Sequence, residues 1–196
     1  MQNNSKKILI ILGHPDLDSY NYALFNAYKK GALASGAEVR ELIIRDLNFN
    51  PNLSFGYRKR TELEPDLIAA QDAILWANHL VWIYPVWWGS IPGILKGFID
   101  RVFLPGFAFQ KREGSIWWDK LLKGKSARII STLDQPAWYY WLVYNAPSNN
   151  AMKKLTLQFC GINPVKTTTI GPLRLSKESY RIYWLKKVEK LGFKNN

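Results

Sequence analysis

Cysteine is almost absent: Cys160 is the one thiol in 196 residues. A single thiol makes no internal disulfide, so nothing points to an oxidising compartment. Histidine is nearly as scarce, with only His14 and His79. Without cysteine partners at ligand spacing, the two do not read as a zinc site, and no metal is expected. Long apolar runs are missing as well. The N-terminal Ile8-Leu9-Ile10-Ile11-Leu12 follows Lys6 and Lys7, and it is too short for a membrane span or a secretory core. It runs into Gly13-His14-Pro15-Asp16 and not into a small-residue cleavage site. The expectation is a cytoplasmic protein with no membrane insertion. Gly-x-Gly-x-x-Gly and Walker loops are both absent, which removes support for a tightly bound NAD cofactor or an ATP-driven reaction. Acidic residues are outnumbered, 15 against 27 Lys and Arg, for a net charge of +12. The basic residues are dispersed, as at Lys123 and Lys125, Lys153 and Lys154, Lys186 and Lys187. No nucleic-acid partner is expected, and the charge reads as a solvated surface that attracts anionic cofactors.

Apolar residues are plentiful, at 47% of the chain. The length suits one domain over residues 1–196, and the composition supports a sizeable core. Nine tryptophans exceed what a minimal core needs and suggest a pocket or a subunit interface.

Five short apolar runs alternate with helical patterns. Strands are predicted over Lys7–Leu12, Val39–Ile44, His79–Tyr84, Ser126–Thr132 and Val165–Ile170. Ser19 is the predicted cap of a first helix that ends at Gly31 or Gly36. Asp46–Glu64 is rich in Asn, Pro, Gly and charge, and a loop of that length is uncommon unless functional. Pro65 opens a second helix. Further helices are predicted over Gly93–Leu104, over Tyr139–Phe159 with a break near Pro147, and over Ser176–Leu191 with Ser176 as cap. The alternation implies an α/β three-layer sandwich around a five-stranded parallel sheet, and the flavodoxin-like order 2-1-3-4-5 suits it.

In such a sheet, ligands bind at the carboxyl ends of the strands. Three loops lie there. The first runs from Gly13-His14 to Ser19-Tyr20-Asn21 and enters a helix N-terminus, a natural anion site. The same residues also suit an ordinary capped turn. The second, Tyr84-Pro85-Val86-Trp87-Trp88-Gly89, carries a core strand into two tryptophans, and a flat aromatic ligand would give them a partner. Core packing or a subunit contact would do so too. The third, Ser131-Thr132-Leu133-Asp134, leads to Trp138-Tyr139-Tyr140-Trp141. It reads equally as the wall of a pocket or as a buried helix start.

With these loops in view, the chain resembles the NAD(P)H dehydrogenase (quinone) family, the flavodoxin-like quinone reductases. The most specific stretch is Pro85-Val86-Trp87-Trp88, then Pro92–Lys96-Gly97, Asp100-Arg101-Val102-Phe103 and Gly106-Phe107-Ala108-Phe109. The Gly13-His14-Pro15 loop with Ser19-Tyr20-Asn21 is a second match. The resemblance implies a non-covalent flavin, FMN or FAD, and two-electron transfer from NAD(P)H to a quinone-type acceptor. It implies a homodimer with the acceptor site between subunits. By the same match, His14, Ser19, Tyr20 and Asn21 would hold the phosphate end. Pro85, Val86, Trp87, Trp88 and Gly89 would line the flavin ring, with Ser131, Thr132, Leu133 and Asp134 along another edge. Tyr139 would touch flavin and substrate. Where relatives carry glycines after strand four, this chain has Leu133 and Asp134, and a carboxylate there would disfavour negative charge on the reduced ring. The short C-terminal end lacks the extension of larger members. FMN is the expectation, from the chain length and the acidic Asp16 and Asp18. Two other classes compete: an ancillary flavoprotein that binds a membrane transporter, and a flavodoxin-type electron carrier. The charge of +12 opposes the carrier.

Overall fold

The structure, a computed structural model, describes residues 5–195. In chain order the strands and helices are β1 (Lys7–Leu12), α1 (Tyr20–Ala34), β2 (Glu38–Ile43), α2 (Pro65–Trp76), β3 (His79–Pro85) and α3 (Gly93–Val102). There follow β4 (Phe109–Lys111), β5 (Trp118–Lys120), β6 (Ser126–Thr132), α4 (Ala137–Leu142), α5 (Pro147–Asn150), β7 (Val165–Ile170) and α6 (Glu178–Phe193). The main sheet has the order β2-β1-β3-β6-β7, with every neighbouring pair parallel. This is the flavodoxin-like arrangement, with β1 and β3 flanking the point where the strand order reverses. Among the described residues, no helix is long and apolar enough to cross a membrane.

The central strands are apolar on both faces because helices cover both. Ile8, Ile10, Leu12, Val81 and Ile83 face a layer of α1 and α6. Leu9, Ile11, Leu80, Trp82 and Tyr84 face the layer that includes α2 and α3. Two glycines bring α1 and α6 into backbone contact. A Cβ on Gly31 would lie 1.9 Å from the Glu189 carbonyl oxygen, and one on Gly192 would lie 2.1 Å from that of Tyr28. Gly31 therefore belongs inside α1, and the helix stops at Gly36, whose φ is +82°. The edge strands β2 and β7 are polar, as edges that avoid pairing with other chains tend to be.

One expectation needs correction, and two features were not foreseen. Ser176 does not cap α6; Lys177 stands at that position, and the Ser176 hydroxyl donates to the Leu173 carbonyl. The break expected near Pro147 falls at Asn145 and Ala146, which both have positive φ, but the wider π-type winding of residues Ala151–Leu157 was not foreseen. The antiparallel pair β4–β5 was not foreseen, because each strand is only three residues long. The long loop before α2 is clamped from α3. The buried Arg101 donates to the carbonyls of Asn50 and Glu62 and pairs with Glu64 at 2.7 Å.

At the opposite end of the sheet from the ligand loops, His79 is buried with Nδ1 2.8 Å from Ser126 Oγ. Burial, followed by the charges of Lys6, Arg128 and Lys166, pushes its pKa down to about 3. The unfolded chain takes up this proton near pH 6.5, whereas the folded chain refuses it until about pH 3. The contribution of His79 is thus complete above pH 6.5 and is lost as pH falls toward 3. We expect its share of the unfolding free energy to fall by about 1.4 kcal/mol per pH unit. Urea titrations between pH 6.5 and 5, above the carboxylate range, should show this slope in the parent and a flatter one in His79→Gln. Equal slopes would remove His79 as the source.

Candidate active site

Strand β3 ends at Pro85 opposite Thr132 of β6. The Val86 amide then donates to the Thr132 carbonyl at 2.7 Å. Next, Trp87 and Ser90 exchange two backbone hydrogen bonds of 2.9 Å. Between them Trp88 has φ +51° and Gly89 φ +71°. Positive φ at both central positions marks a tight two-residue turn that glycine and asparagine favour. For a tryptophan, the left-handed region costs roughly 1–2 kcal/mol. Its side chain is fully exposed, so no packing offsets that cost. Trp87 is half-exposed, and the His14 ring meets it edge-on with centroids 5.5 Å apart.

This turn walls a cavity of about 680 Å³, whose other sides are Thr132–Gln135, Tyr140, Tyr144, Pro147 and Leu173. The volume suits a cofactor. Leu133 is buried beside Tyr140, Ala146 and Val86, and its carbonyl accepts from the Leu173 amide at 3.1 Å. Asp134 also lines the cavity, with one carboxylate oxygen held by the Arg174 amide at 3.1 Å. The loop after β7 is therefore part of the site. Sequence reasoning missed Leu173 because its link to the site is the backbone of a loop 40 residues away.

The phenols at the cavity are Tyr140 and Tyr144, not Tyr139. The Tyr140 hydroxyl accepts from the amides of Ser148, at 3.0 Å, and Asn149, at 3.4 Å. Asn149 in turn donates to Thr169 at 2.8 Å. This network braces the start of α5. Tyr139 lies at the rim, edge-on to Tyr144 with centroids 5.2 Å apart, and the hydrogen bond between the two phenols pushes its pKa up. A four-residue spacing links Tyr140 and Tyr144, the one available signal that they share a face.

The first loop adjoins this cavity without lining it. Ser19 caps α1, accepting from the Tyr22 amide at 3.2 Å, and the first turn has no acidic residue. Among the described residues the amides of Tyr20 and Asn21 have no acceptor, so they remain available to an anion. The Tyr20 and Asn21 side chains do other work. Tyr20 donates to the Arg181 carbonyl at 2.7 Å, and burial raises its pKa to about 12. Asn21 donates to Thr132 Oγ1 at 3.0 Å. His14 Nδ1 lies 3.0 Å from the Asp16 amide. The same nitrogen lies 3.1 Å from the Asp16 carbonyl, so the Asp16 backbone holds the ring by Nδ1 and leaves Nε2 turned away from this contact. Burial lowers the pKa of His14, with Asp16 opposing the shift, so the ring is a neutral donor at pH 7. Ser131 is buried on β6 with no hydrogen-bond partner for its hydroxyl among the described residues.

A family model for the flavodoxin-like fold matches residues 6–183. NAD(P)H dehydrogenase [quinone] 1 of Cavia porcellus is 31% identical over 194 residues, covering 85% of this chain and 70% of that protein. An uncharacterized NAD(P)H oxidoreductase of Haemophilus influenzae is 29% identical over 178 residues, 88% of this chain and 87% of that protein. A crystal structure from Streptococcus mutans UA159 superposes with a TM-score of 0.85 at 32% identity, covering 96% of this chain and 99% of that one.

Because Trp88 gains nothing from packing, Trp88→Gly relieves its backbone. We expect stability to rise by about 0.5–1 kcal/mol, the left-handed cost less the entropy of glycine. Urea unfolding of the ligand-free protein checks this. A loss of stability would show that the turn is not strained at Trp88.

Proposed function

We infer that this chain, which belongs to the flavodoxin-like family, is an NAD(P)H oxidoreductase that works through a bound flavin and reduces a quinone-type acceptor. The observation that carries the reading is the junction at His14. Its ring edge on Trp87 joins two halves of one site: an anion-binding helix start and an aromatic-walled cavity. A flavin mononucleotide has this composition, with a phosphate at one end and a flat ring at the other. The Cβ of a residue at position 89 would meet only Pro147 Cγ, at 3.7 Å, so the turn leaves room for a ring to approach its backbone. The amides of Trp88 and Gly89, without acceptors among the described residues, are the donors that would meet it. The fit supports a flavin. FMN is favoured over FAD, since the exposed Asp16 and Asp18 oppose a second phosphate near the first.

Bound flavin supplies the redox chemistry, taking hydride from NAD(P)H and passing two electrons to the acceptor. The chain binds and orients. The His14 ring and the backbone amides of Tyr20 and Asn21 would hold the phosphate. Trp87 and Trp88 lie along one wall, and Leu133 and Leu173 keep water from another. Tyr144 lines the cavity, and its contact with Tyr139 makes that tyrosine a positioning residue. We place the protein in the cytoplasm, which its single buried thiol suits.

The purified protein should be yellow, release FMN on denaturation, and bleach rapidly with anaerobic NAD(P)H. Replacing Trp87 and Trp88 with alanine should weaken flavin retention at least about tenfold, the loss of roughly 1.4 kcal/mol of ring contact. A colourless protein that also fails to bind added FMN or FAD would end the reading. Slow bleaching of a bound flavin would leave an electron carrier or an ancillary flavoprotein.

We also propose a homodimer. A second cavity of about 750 Å³ lies between the clamped loop, α3 and residues 151–160, and Ile99, Phe103, Phe109 and Leu155 are among its lining. Ile116, Trp117 and Leu155 are left exposed. A partner subunit would cover such apolar surface. Sedimentation velocity should give a dimer for the parent and a monomer for Trp117→Arg combined with Leu155→Arg. A monomeric parent would refute the proposal.

A further inference from the structure

Helix α6 packs on the sheet and α1 through Val188, Gly192 and the partly buried Trp184 and Leu185. Its opposite side is exposed throughout. Ile182, Tyr183, Lys186, Lys187, Lys190 and Phe193 recur there at three- and four-residue spacing, and Lys194 follows as the C-cap. Lysines predominate on this face, with carboxylates at its margin only. Glu178 stands in the first turn, and Glu189 turns to Lys30 of α1 at 2.9 Å. Among the described residues, none of the four lysines pairs with a carboxylate. The Lys187 ammonium lies over the Trp184 and Tyr183 rings instead, 4.3 and 5.5 Å from their centroids.

Soluble proteins ordinarily mix both signs of charge on an outward helix face. Here one sign predominates, and large apolar side chains are interleaved with it. Ile182 is 43%, Tyr183 55% and Phe193 57% exposed. None of the three is needed to attract a soluble polyanion. All three are suited to the boundary between lipid headgroups and acyl chains, where aromatic rings concentrate. Lysine stems extend along apolar surface while their charges stay in the headgroup layer. The net charge of +12 adds attraction of the same sign.

We propose that the outer face of α6 docks on bilayer surfaces rich in anionic phospholipid, as a peripheral contact with no segment crossing the membrane. The docking is independent of the redox activity, because the face and the cavity share no residue.

The test is sedimentation of the full-length, flavin-loaded protein with phosphatidylcholine vesicles containing about one third phosphatidylglycerol, a strongly anionic surface. The protein should pellet with these vesicles and stay in solution with pure phosphatidylcholine. Raising the salt to roughly 1 M, where the Debye length is about 3 Å, should release it. Lys186→Gln, Lys187→Gln and Lys190→Gln together should cut partitioning on the order of 100-fold, with an unchanged circular dichroism spectrum. Ile182→Ser with Phe193→Ser should weaken vesicle binding and leave retention on polyglutamate unaltered. Failure to pellet, or pelleting untouched by the lysine changes, would overturn the proposal. So would vesicle binding that survives the Ile182 and Phe193 changes, which would mark the face as a general polyanion binder.

Discussion

Thr132 is the buried point at which the ligand loops are fixed to one another. Its carbonyl accepts from the Val86 amide, and its hydroxyl exchanges hydrogen bonds with the Asn21 side chain. One residue later, the Leu133 amide donates to the Ile170 carbonyl. Four segments distant in sequence thus meet at the last turn of β6. Each bond is screened from water, where a lost partner leaves a polar group unsatisfied at a cost of about 1–3 kcal/mol. The geometry of the site depends on this junction more than on any single loop. With Val86 held, the Trp87–Ser90 turn can project only outward. With Asn21 held, the amides at the start of α1 face the same opening.

The turn itself runs against local preference. Tryptophan in a left-handed conformation, with its indole in water, is unfavourable twice over. The surroundings tolerate it because the two Trp87–Ser90 hydrogen bonds and the Val86–Thr132 bond determine the backbone on both sides. Strain of this kind, held by an over-determined frame, tends to be found where a ligand completes the structure. A flat ring resting on Trp88 would return the contact area that the isolated chain leaves open.

Much of this was legible in the sequence, and the boundary has a physical basis. The five strands were readable because a parallel sheet covered on both faces demands near-continuous apolar runs, as in Ile8–Leu12. The Ser19 cap was readable because capping is local, spanning three residues. Trp87 and Trp88 were readable as a place, since two tryptophans followed by glycine interrupt a core strand. Contacts across the fold were not readable. Asn21 was assigned to a phosphate by its position, yet its amide serves a hydroxyl 111 residues away. Tyr139 was taken from the resemblance, whereas the tyrosines that line the cavity are Tyr140 and its neighbour four residues on, Tyr144. The pair β4–β5 has three registered positions, too few to leave a periodicity.

Leu133 and Asp134 tie the loop after β6 to its surroundings. Glycines at these positions would leave the loop after β6 without side-chain anchors. Here Leu133 packs inward on Tyr140 and Ala146, and Asp134 takes the Arg174 amide. Together with the Leu173–Leu133 bond, they join the loops after β6 and β7 into one wall. A carboxylate that accepts a backbone hydrogen bond presents less negative charge to its other neighbours than a free one, so Asp134 projects less negative charge into the cavity than its position suggests. The two side chains therefore exchange backbone freedom for a fixed wall, in a chain whose other wall is already fixed at Thr132. The part of the cavity left exposed is formed by Trp88 and Tyr144.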